Sequence, residues 1–167
     1  MKRLATEFLA VLILLGIMGL LGLLSGQSPS EPKAPSETQV AAVSAVRVGQ
    51  KIFSVELAIS ENQQATGLSN RASLSPGTGM LFVFKDARRP VFWMKDMLFP
   101  LDIVWIYQGK VIDISRNVPE PEPGTPADEL PLYEPASEVD YVLEINAGEA
   151  AQINIGDKVE VVDSLTA

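Results

Sequence analysis

Between Val91 and Ile106 the chain reads VFWMKDMLFPLDIVWI, its most apolar stretch beyond the N-terminus, yet Lys95, Asp96 and Asp102 lie inside it. Read as a strand, Val91–Met97 places Val91, Trp93, Lys95 and Met97 on one side and Phe92, Met94 and Asp96 on the other. After Pro100, Asp102 shares a side with Val104 and Ile106, opposite Leu101, Ile103 and Trp105. Both sides of both segments are apolar, the pattern of strands covered on two faces. YVLEINAG (Tyr141–Gly148) repeats it, with Glu144 among Tyr141, Val142, Leu143 and Ile145.

The remaining periodicity predicts further strands. VSAVRV and KIFSVELAIS flank a Gly49-Gln50 turn, and in the second Phe53, Val55, Leu57 and Ile59 form the buried side. Ser60 followed by Gln63 makes a capping-box pattern, so a short helix is expected from Glu61 to about Leu68. Met80–Phe84, Val111–Ser115 and Lys158–Asp163 are strands, and a helical turn is expected around Glu149–Ile153. PEPEPGTPADELPLYEP, residues 119–135, is an acidic, Pro-rich surface loop, because each Pro lacks the N–H that a central strand needs. The pattern predicts a mainly β (α+β) domain over 42–167, a compact antiparallel β-sandwich or barrel-like fold with one or two short helices.

The N-terminus follows a different period. Lys2 and Arg3 precede an apolar run from Phe8 to Leu24. As a helix that run rises about 26 Å, near the short end of what spans a bilayer. No small-x-small cleavage site follows it, so residues 1–25 are expected to be an uncleaved transmembrane signal anchor, with a cleaved signal peptide as the alternative. Lys2 and Arg3 would remain cytoplasmic and the C-terminal domain would lie across the membrane, or become periplasmic or secreted after cleavage. Residues 26–41, rich in Pro, Ser and Glu, read as a disordered linker.

Composition narrows the chemistry. The chain of 167 residues carries a formal charge of −8 and no basic stripe, which speaks against nucleic acid as a partner. Cysteine and histidine are both absent, excluding disulfides, the usual zinc sites, thiol nucleophiles and His-based triads. No cofactor is expected. Any chemistry falls to carboxylates, Lys, Arg, Tyr, Ser or Thr.

A charge buried alone costs several kcal/mol. The simplest expectation is therefore that Lys95 meets Asp102, Glu144 or both. Such a cluster would be a structural ion pair fixing strand register, or a ligand cleft with Arg71 nearby and walls from Trp93 or Trp105.

GLSNR (67–71), GMLFVF (79–84), FWMKDMLFPLDIVWI (92–106), Pro135-Ala136, YVLEINAG (141–148) and Gly156-Asp157 recur in an order and spacing that resembles the domain-of-unknown-function 192 family. The resemblance spans about residues 45–163. It implies a compact β-rich fold with a short helix, often behind an export signal, and no established activity. Two dipeptides depart from the family pattern: Ser69-Asn70 stands for a Met-Tyr type pair, and Asp96-Met97 for Asn-Thr.

The function expected from these features is a membrane-tethered extracytoplasmic module, more a binder than an enzyme, taking a small polar ligand, a glycan or an envelope protein. One alternative is a carboxylate-based, glycosidase-like hydrolase using Asp102 and Glu144; another is a purely structural ion-pair domain. A Ca²⁺ site formed by Glu120, Glu122, Asp128 and Glu129 is a further possibility, although no metal signature is present.

Overall fold

The computed structural model describes residues 43–162. The expected anchor (1–25) and linker (26–41) lie outside the described residues, among which no helix is long and apolar enough to cross a membrane. Nine strands occur among the described residues: β1 Val43–Val48, β2 Lys51–Ala58, β3 Thr78–Arg88, β4 Phe92–Trp93, β5 Leu101–Tyr107, β6 Lys110–Val118, β7 Leu132–Tyr133, β8 Val139–Asn146 and β9 Val159–Val162. Helix α1, Glu61–Thr66, begins with the expected capping box, the Ser60 and Gln63 side chains each accepting from the other's backbone N–H.

Seven strands form one sheet in the order β6-β5-β8-β3-β2-β1-β9. Its two edges approach each other, because Val111 N–H donates to Asp157 O (2.9 Å) and Val159 N–H to Gly109 O (2.8 Å). The sheet thus curls into a half-barrel, the expected barrel-like form. One pairing departs from the antiparallel expectation: β2 and β3 run parallel. Parallel neighbours need a long crossover, and the segment containing α1 supplies it.

Each face of the sheet carries its own core. Val46, Val48, Phe53, Val55, Leu81, Val104, Ile106, Leu143 and Ile145 form one cluster with Val111 and Val159. Since it joins both edges to the middle strands, this cluster fills the inside of the curl. Met80, Phe82, Phe84, Ile103, Trp105 and Val142 belong to the outer face and are covered by Leu68, Met94 and Met97. β5 and β8 alternate between the two cores, so their uninterrupted apolar character follows from burial on both sides.

The segment expected as a strand over Val91–Met97 pairs only through Phe92 and Trp93, and it pairs with β7 outside the main sheet. Lys95-Asp96 is a turn, closed by Met97 N–H donating to Met94 O, with Asp96 at φ 57°. β7 and a 3-10 turn at Ala127–Glu129 interrupt the Pro-rich loop.

Candidate functional site

The expected meeting of Lys95 with Asp102 or Glu144 does not occur. Lys95 is exposed in its turn, and no ion pair to it exists among the described residues. Its ammonium lies 5.5 Å from the Trp93 ring centroid instead. Lys95 needs no acidic partner because it stands in a hydrated turn and not in a buried strand. The turn is gripped from the loop after α1: Asn70 N–H donates to Asp96 O (2.7 Å) and the Ser69 hydroxyl to Lys95 O (2.9 Å). The two dipeptides that depart from the family pattern thus touch each other. Asn70 and Asp96 both hold positive φ, which Asn and Asp tolerate better than most residues.

Asp102, 1% exposed, faces the inner core. β6 carries one extra residue opposite it, since Leu101 pairs with Val118 but Ile103 with Ser115. A bulge leaves a backbone group unpaired. One Asp102 oxygen accepts from Asn117 N–H (2.7 Å), and the other from Ala150 N–H (2.8 Å) in the 3-10 turn Glu149–Gln152. Arg116 holds the same turn through the carbonyls of Ala150 and Ile153. Asp102 is therefore a backbone clasp.

Arg71 is also occupied. It grips Glu56 with both guanidinium nitrogens, the Nη2–Oε2 bond measuring 2.8 Å, and that hydrogen bonding pulls the Glu56 pKa down and pushes the Arg71 pKa up. Trp105 is buried with its Nε1–H on the Ser115 hydroxyl (3.0 Å), so it is a core ring and not a cleft wall. The acidic loop shows no metal site: no group of three or more Asp or Glu side chains among the described residues is arranged to hold one.

Glu144 differs from all of these. It leaves β8 on the outer face, in register with Met80 and Ile103, and is 6% exposed. No hydrogen bond to its carboxyl group is found among the described residues. Burial pushes its pKa up to about 8, because a carboxylate among apolar groups loses its hydration. It lies at a cavity of about 450 Å³ bounded by α1, Phe82, Phe84, Arg88, Phe92 and Trp93. Phe92 meets Phe82 and Trp105 edge-to-face, with centroids 4.9 and 5.4 Å apart. Gly67, at φ 51°, passes so close that a Cβ there would lie 3.4 Å from Phe82 and 4.0 Å from Glu144 Oε2.

Residues 43–161 match the family model for DUF192, described as uncharacterized ACR. The chain belongs to the DUF192 family. Two solved structures are similar to it, each 30% identical. One is a protein of unknown function from Novosphingobium aromaticivorans DSM 12444, with a TM-score of 0.65 over 81% of this chain and 99% of that one. The other is a candidate transcription regulator from Sinorhizobium meliloti 1021, with a TM-score of 0.64 over 72% of this chain and 95% of that one. No curated protein matches the chain.

Of the residues expected from sequence, the cavity brings together Glu144 and Trp93, and leaves Lys95, Asp102, Arg71 and Trp105 elsewhere. Sequence reasoning missed Gly67, Phe82, Arg88 and Phe92. The available signal was positional: Gly67, Phe82 and Phe92 fall in three of the blocks that carry the DUF192 resemblance.

Proposed function

We propose that this DUF192 domain is a non-catalytic binding module, held across a membrane by its N-terminal segment, that takes a small ligand into the Glu144 cavity. The observation that carries the reading is the Glu144 carboxyl group, which lies 6% exposed at the cavity and has no hydrogen-bond partner among the described residues. A carboxyl group held among apolar side chains loses hydration, and a ligand that pairs with it at the cavity supplies the missing partner. The aromatic lining provides the apolar contact that small-molecule sites commonly use. A catalytic pair with Asp102 is not available, since the two carboxyl groups face opposite sides of the sheet. The tether rests on Lys2, Arg3 and the Phe8–Leu24 run.

The test is a melting-temperature screen of the full chain at neutral pH against organic amines, carboxylic acids, and neutral alcohols and amides. At least one class should raise the melting temperature of the wild type and leave Trp93→Ala unmoved. A flat response to all three classes would defeat the reading.

A further inference from the structure

We infer that the occupant of this cavity is a protonated organic amine whose N–H groups donate to Glu144 and whose apolar body lies among Phe82, Phe92 and Trp93; this rests on the binding-module reading above. The first support is Glu144 itself, whose carboxyl oxygens have no donor among the described residues and lie at the cavity. The other charged groups bounding the cavity are Glu61, on the first turn of α1, and Arg88, near the end of β3. Arg88 is already engaged, donating to Gln64 Oε1 (3.1 Å) and lying 4.3 Å from the Phe84 ring centroid. Among the described residues, none that lines the cavity therefore supplies a free cation to Glu144.

The aromatic lining is the second support. Ring faces attract cations through their quadrupoles, and two rings that line the cavity already do so, Phe84 with Arg88 and Trp93 with Lys95, which lies outside the cavity. The third is the field. No Lys or Arg occurs from Asn117 to Asp157, a stretch that includes all of β8, and the whole chain carries −8. Such a field raises the local concentration of cations.

Binding has a definite proton balance. Free Glu144 holds its proton near neutral pH, its pKa lying at about 8. Entry of R–NH₃⁺ leaves a carboxylate–ammonium pair in the cavity and sends the carboxyl proton to solvent. A neutral alcohol of the same shape would release none.

The experiment is titration calorimetry on the full chain in nanodiscs, with empty nanodiscs subtracted, at pH 7 in two buffers of different ionisation enthalpy. The probes are 2-phenylethylamine, its isostere 2-phenylethanol, and Nα-acetyl-lysine methylamide for an ammonium borne on a polypeptide. The amine should bind with release of close to one proton, and should weaken by at least about tenfold in Glu144→Gln. Trp93→Ala, a change at a side chain 47% exposed, should also weaken it and guards against a folding defect in the first variant. Tighter binding of the lysine derivative than of the free amine would keep the ammonium chemistry and locate it on a polypeptide. The inference is overturned if the alcohol binds as tightly as the amine, if no proton is released, or if Glu144→Gln retains full amine affinity. Binding of the alcohol alone would leave the cavity a ligand site while removing amines from it. Silence from every probe, together with a flat melting screen, would remove both.

Discussion

Asp102 and Glu144 stand on neighbouring strands one register step apart, and their side chains leave the sheet on opposite faces. Asp102 is level with Ile145, and Glu144 with Ile103. That single step gives two buried carboxyl groups different fates. The inward one is satisfied by two backbone donors, and the outward one meets a cavity with no donor to it among the described residues.

Removing Asp102 should therefore damage the fold and spare the cavity. Asp102→Ala strands the N–H groups of Asn117 and Ala150 in a buried setting, at roughly 1–3 kcal/mol for each group left unpaired. Urea unfolding should show a loss of about 3 kcal/mol in total. A variant as stable as the wild type would show that the bulge and the 3-10 turn hold without the clasp.

Glu144 gives a pH signature of the opposite kind to that of a paired acid. Its pKa is raised by burial from an ordinary 4.5 to about 8 in the fold. Between those values the folded state keeps a proton that the unfolded state has released, so stability falls as pH rises. The contribution is fully present below 4.5 and is lost on passing through about 8, at about 1.4 kcal/mol per pH unit. The stability difference between wild type and Glu144→Gln should follow that slope and level off above the folded pKa. A difference independent of pH would mean that the carboxyl group is hydrated in solution.

Much of this arrangement was legible from alternation alone. The placement of Asp102 with Val104 and Ile106, and the burial of β5 and β8 on both faces, follow from period two. The Ser60–Gln63 cap was legible by a different signal, the three-residue spacing of a capping box, which is local. Lys95 was misplaced because apolar neighbours on both sides imitate a strand, whereas Pro90 and Pro100 bracket the segment and Asp96 turns it. The parallel β2–β3 pairing and the β6 bulge are set by contacts distant in sequence, which periodicity does not encode. For Glu144, sequence revealed the buried acid but not that no described residue would pair with it.

Gly79 has no positive φ, and its need is steric. A Cβ there would lie 2.5 Å from the Glu144 carbonyl oxygen and 2.9 Å from Ile145 Cγ2 on the paired strand. Backbone cannot yield as a flexible side chain does, so β3 and β8 would have to separate. Gly79→Ala should cost about 3 kcal/mol or more, the upper end for overpacking, and should lower soluble yield. Wild-type stability in this variant would mean that the strands have more room than their register allows.

The Arg71–Glu56 pair is half-exposed, so its bidentate geometry is screened by solvent. Arg71→Ala should cost about 1 kcal/mol, and Arg71→Lys should recover little because an ammonium cannot reproduce the fork. Hydrogen bonding from Arg71 lowers the Glu56 pKa, so this contribution is present above the ordinary glutamate range and fades as pH falls through the folded value. A double-mutant cycle at neutral and acid pH measures it. Coupling that grew on acidification would contradict the pairing.

The proposed tether predicts a separable behaviour, because the family match begins only at residue 43. If Phe8–Leu24 lies in a bilayer with Lys2 and Arg3 on the cytoplasmic side, the full chain stays with membranes through an alkaline carbonate wash. Added protease then reaches the Arg71–Arg89 region only from the extracytoplasmic side. Replacing Leu14 and Leu15 with Arg places two charges mid-run, each costing roughly 2.5–3.5 kcal/mol at a helix centre, which should release the chain or prevent its export. Retention of this variant in carbonate-washed membranes would locate the attachment in the folded domain, and the exposed Val91, Trp93, Leu98 and Leu132 side chains would then be the surface to mutate next.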